Sequence, residues 1–185
     1  MHPRTEEVLN YLDAQRKELR AAIDSIPTAT RNTQPTANQW SVAQVLNHLT
    51  IVDRRVAAGV GKWIAEAQAS GLGQEVETTS VTGTIPNEKI VDRSRKVEAP
   101  DEIRPRTDVD AETAWTELEQ ARAKLRAAFL TGDGFALGQV VQTHPVLGPI
   151  NVYQWMLFCA SHEARHTLQI REIGDQLNSA EGASA

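Results

Sequence analysis

The stretch NVYQWMLFCASHEARHTLQIREI, Asn151 to Ile173, decides how the chain reads. Trp155, Cys159, His162, His166, Ile170 and Ile173 recur at spacings of three and four, the period of one helix face. Leu177 continues the stripe, and Asn151 stands where an N-cap belongs. The spacing predicts a long helix that turns two imidazoles toward an apolar core. The same residues spell His162-Glu163-Ala164-Arg165-His166, the H-E-x-x-H pattern of zinc proteases. In such a protease the glutamate activates the attacking water. The rest of the chain decides between a protease and a different metal site.

Three further helices flank this one. Ser41 with Gln44 forms a capping box, and Trp40 can staple onto Val45. The stripe that follows is Val45, Leu49, Val52, Val56, Val60 and Trp63, fading near Gly71. His48 lies three residues after Val45 and four before Val52, so it faces inward too. A first helix over about residues 6–23 carries Val8, Leu12, Leu19 and Ile23, and stops before Pro27. A third, over about residues 109–130 with Asp108 or Asp110 as cap, carries Ala111, Trp115, Leu118, Leu125 and Phe129. Gly132 and Gly134 end it.

Residues 71–107 show no periodicity, apart from a short extended piece expected in VTGTIPNEKI. A connection this long is usually functional or a crossover along a bundle. The expectation is an all-α four-helix bundle, up-down-down-up, with a long crossover between the second and third helices. Residues 1–178 form the domain, and 179–185, small and polar, are expected to be a disordered tail. There is no internal repeat.

Composition narrows the function. A chain of 185 residues supports one domain with its own core. The net charge of −5 argues against a nucleic-acid binder. No apolar run reaches the length of a membrane span, and the N-terminus lacks the apolar core of a signal peptide. The single cysteine, Cys159, fits a reducing cytoplasm and reads as buried filler. The expected partner is a small-molecule substrate. Pairing of two copies as a homodimer stays open.

Two inward imidazoles at i, i+4 need partners, because an unpaired buried polar group costs about 1–3 kcal/mol. His48 brings a third to the same core. Three imidazoles can hold one divalent ion, and three histidines with an open position are a catalytic arrangement for zinc. Imidazole also suits nickel, copper and iron. The protease reading lacks its downstream ligand: no histidine follows His166, Glu172 lies off the stripe and Glu181 is in the tail. Glu163 is left as a water-activating base, a group supporting the ligands, or a solvated surface carboxylate. Gln169, three residues after His166, lies near the histidine face as a ligand contact or core-edge filler. His144 is too far from His162 along the chain to read as a fourth ligand, and a structural hydrogen bond before the last helix suits it better. Trp40, Trp63, Trp115 and Trp155 read as core and staple residues.

The segments WSVAQVLNHL, HPVLGPINVYQWMLF and HEARHTLQI, with SRKVEAPDEIRP in the long connection, together resemble the DinB-like (DinB/YfiT) superfamily. The resemblance covers nearly the whole chain. It implies an up-down-down-up bundle and a divalent metal on His48, His162 and His166, with zinc and nickel the favoured ions. It also implies a class that includes S-transferases and isomerases using low-molecular-weight thiols such as bacillithiol or mycothiol. On this reading the H-E-x-x-H match is incidental to a His-x-x-x-His pair. The expected function is metal-dependent thiol S-transfer or hydrolysis of a small molecule. The alternative is a non-catalytic metal-binding or stress-response protein.

Overall fold

Four long helices carry the apolar stripes. The computed structural model describes residues 1–94 and 97–182, with side chains through residue 179. Helix α1 spans Pro3–Asp24, α2 Val42–Ala69, α4 Ala111–Leu130 and α5 Val152–Gly182, while the one-turn helix α3, Asn87–Val91, lies in the crossover. The expected starts hold for physical reasons. The Ser41 hydroxyl accepts the Gln44 N–H, and Gln44 accepts the Ser41 N–H, so two end donors are satisfied reciprocally. Asp110 accepts the N–H groups of Glu112 and Thr113. Asn151 and Gln154 repeat the reciprocal pattern at the start of α5. At the other end α5 stays helical to Gly182, past the boundary expected at 178, and residues 183–185 lie outside the described residues.

The side-chain pairs fix the topology. Asp53 meets Arg122, and Gln68 meets Thr131, so α2 and α4 run parallel. Tyr11 lies beside Ser161 and Glu18 pairs with Arg171, so α1 and α5 are also parallel. Asp13 with Arg126 and Arg16 with Glu119 make α1 antiparallel to α4. This is the up-down-down-up bundle, and the parallel α2–α4 pair is what requires the long crossover.

That crossover is not loose. Glu7 accepts from Ser80, Val81 and Thr82, and Val81 and Ile85 are buried in the core. Gln154 donates to the Thr84 carbonyl. The segment therefore straps across α1 and α5, with α3 where only an extended piece was expected.

A second departure from the expectation is a short antiparallel hairpin ahead of α5. Strand β1, Val141–His144, pairs with β2, Gly148–Asn151. Neither VQTH nor GPIN alternates apolar with polar residues, so the sequence carries no strand signal there.

The core divides in two. One apolar cluster joins Val8 and Leu12 to Val56, Val60, Leu125, Phe129 and Met156. The other joins Leu19 and Ile23 to Val45, Leu49, Leu118 and Ile170. Buried polar side chains occupy the level between them: His48, Asp53, Arg122, Glu163 and His166. No helix among the described residues is long and apolar enough to cross a membrane.

Candidate metal centre

The inward faces of α2 and α5 bring His48, His162 and His166 together. His162 Nε2 lies 3.4 Å from His48 Nε2 and 3.1 Å from His166 Nε2. Ligating nitrogens of all three lie within 4.8 Å of one another. Zinc–imidazole bonds of 2.0–2.1 Å at tetrahedral angles separate two nitrogens by about 3.4 Å. The cluster thus has the spacing an ion needs.

The outer nitrogens are already committed. His48 Nδ1 lies 2.7 Å from the Ile103 carbonyl, which only accepts, so the proton sits on Nδ1 and the Nε2 lone pair is free. His166 Nδ1 lies 2.8 Å from Gln169 Oε1, with the same consequence. Such outer partners orient metal-binding imidazoles. Burial pushes the pKa of His48 down, and burial with the neighbouring histidines pushes those of His162 and His166 well down. All three are neutral near pH 7, the form that can donate a lone pair. His48 and His166 are buried, whereas His162 is half-buried.

Aromatic rings wall the cluster. Trp40 lies 5.1 Å from His48 and stacks on His166 at 6.4 Å between ring centres. The expected staple residue therefore also covers two of the imidazoles. Phe158 stacks on His162 at 5.4 Å. Trp155 lies in the core, with Trp63 packed on it, and Trp115 is flanked by the guanidinium groups of Arg16 and Arg20.

Glu163 is not the solvated carboxylate the sequence allowed. Its side chain is fully buried, and both oxygens go to guanidinium groups. Arg16 binds it at 3.0 and 2.8 Å, and Arg122 at 2.6 Å. Arg122 also binds Asp53 at 2.8 Å, so α4 ties α2 to α5 through two ion pairs. Burial opposes the charge on Arg122, yet Asp53 and Glu163 hold it protonated more firmly than usual. Among the described residues no hydrogen bond joins Glu163 to the imidazoles. Among the described residues Gln169, expected as a ligand contact or filler, reaches the centre only through His166.

His144 lies outside the cluster, and its Nδ1 accepts the N–H groups of Val146 and Leu147 at 3.1 Å each. Cys159 is buried, and burial, then Asp53, pushes its thiol pKa up, so it is a poor nucleophile.

Two features escaped the sequence reading. The Ile103 carbonyl is backbone and leaves no side-chain signal. The Arg122–Asp53 pair did leave one: Arg122 fills the gap between Leu118 and Leu125 on the α4 stripe, and Asp53 follows Leu49 by four.

The family profile described as the DinB superfamily matches residues 11–170. This chain belongs to the DinB superfamily. The chain is also similar to uncharacterized protein YuaE of Bacillus subtilis (strain 168), 31% identical over 152 residues, covering 80% of this chain and 86% of YuaE. The crystal structure of TT2238, a four-helix bundle protein, matches with a TM-score of 0.59 at 19% identity, covering 91% of this chain and 98% of that one. That likeness concerns the fold alone.

Proposed function

We propose that this DinB-superfamily protein is a divalent-metal-dependent enzyme acting on a small molecule by thiol S-transfer or hydrolysis. The observation that carries the reading is three neutral imidazoles whose Nε2 atoms meet while the Nδ1 atoms of two are hydrogen-bonded outward. A divalent ion there, zinc or nickel first, would supply Lewis acidity that lowers the pKa of a thiol or water. His48, His162 and His166 hold it. Ile103 and Gln169 fix the ring tautomers, and Trp40 shields two rings from water. His162, the half-buried member, marks the side from which a substrate and a low-molecular-weight thiol enter.

The near-complete enclosure of His48 and His166, 2% and 6% exposed, favours the second reading, a non-catalytic metal-binding protein. Elemental analysis of the purified protein, followed by thiol-transfer and hydrolysis assays with several thiols, separates the two. The enzyme reading expects one metal per chain and turnover that a chelator removes. Stoichiometric metal without turnover on any thiol would favour the second.

Two results are expected from the centre itself. Adding the metal at a hundred times its dissociation constant stabilises the fold by about 2.7 kcal/mol. For a chain of this size that raises the melting temperature by about 5–11 °C. Calorimetry with and without chelator checks it, and an unchanged Tm would rule out a folded-state site. Gln169→Leu removes the acceptor for His166 Nδ1–H and weakens metal binding about 10–100-fold, read by chelator competition. An affinity equal to wild type would show that Gln169 does not support the ligand.

A further inference from the structure

His144 is left over by the metal centre, yet its environment is specific. Two backbone N–H groups, from Val146 and Leu147, converge on its Nδ1. That nitrogen must offer its lone pair, so the proton is on Nε2. The ring is only 5% exposed. Nε2 makes no hydrogen bond among the described residues. The ring packs 4.2 Å from Phe158 and 4.8 Å from Trp155. Phe158 is half-buried, and it is also the ring stacked on His162. Trp155 Nε1, beside His144, is enclosed without a partner. One aromatic cluster thus carries two unpaired N–H donors and abuts the half-buried member of the histidine centre.

We propose that His144 and Phe158 form a substrate-recognition subsite. In it the Nε2–H of His144 donates to a carbonyl or carboxylate oxygen, and Phe158 packs on the apolar or aromatic body carrying that oxygen. The subsite rests on reading the histidine cluster as the reacting centre: a ligand held there lies against Phe158, whose ring touches both His144 and His162. His144 is then a specificity-determining residue and not a ligand.

The test uses the full chain and two fragments, benzamide, which has the acceptor oxygen, and aniline, which does not. Nitrogen-15 imidazole NMR follows His144 Nε2, and tryptophan fluorescence gives affinities. His144→Asn keeps an acceptor at the ring Nδ1 position for the Val146 and Leu147 N–H groups and deletes the Nε2 donor. Benzamide is expected to shift the His144 Nε2 resonance and to bind wild type about three- to tenfold more tightly than His144→Asn. Aniline binds both alike. An Nε2 resonance that benzamide leaves unmoved, or an equal loss of both fragments in the variant, would overturn the proposal. If the variant fails to fold, the wild-type resonance decides alone. Neither measurement needs metal or turnover, so a failed metal site and a failed subsite give different results.

Discussion

Glu163→Gln is expected to lower the stability of the fold by about 3–5 kcal/mol, because it breaks a buried ion pair on one side only. Arg16 and Arg122 keep their charges, and Asp53 alone is left to balance Arg122 at close range. For a chain of this length the loss is a fall in melting temperature of about 6–20 °C. Metal bound per folded molecule should stay at the wild-type value, since no hydrogen bond runs from Glu163 to the imidazoles among the described residues. Thermal melting and metal analysis on the same preparation check both. A variant that melts with wild type, keeps its metal and loses turnover would instead make Glu163 the general base, and the H-E-x-x-H spelling would carry its usual meaning.

His162→Ala separates binding from folding in the opposite way. One of three meeting nitrogens is removed, and metal affinity should fall by more than the roughly hundredfold that loss of an outer partner can cost. Activity that depends on the metal should go with it. Helix content should persist, because the two apolar clusters above and below the centre do not include His162. Circular dichroism and metal titration read the two quantities. Collapse of the helices in the metal-free variant would place this bundle with domains that fold only around their ion.

The helices were legible because each carries its own stripe and its own cap, and both are local signals. Ser41 with Gln44, Asp110 and Asn151 mark starts that the backbone adopts. The three histidines were legible for the same reason: inward spacing places them before any tertiary contact is known. The sequence leaves Glu163 open between base, supporting group and solvated carboxylate, because the partners that bury it, Arg16 and Arg122, arrive from other helices. The crossover hid the most. Its order comes from scattered contacts with α1 and α5, such as the hydrogen bonds of Glu7 and Gln154 and the burial of Val81 and Ile85, and a periodic pattern does not record them.

The belt of charge and imidazole across the middle of the bundle also keys the helices to one another. Uniform apolar seams let a helix slide by a turn, since one leucine layer fits much like the next. Here a one-turn slide of α5 would carry Glu163 off Arg16 and Arg122 and against apolar neighbours, with two guanidinium groups stranded behind it. It would also part His162 and His166 from His48. The alignment of the three imidazoles and the alignment of the helices are thus set by adjacent residues of α5, and a mutation that loosens one endangers the other.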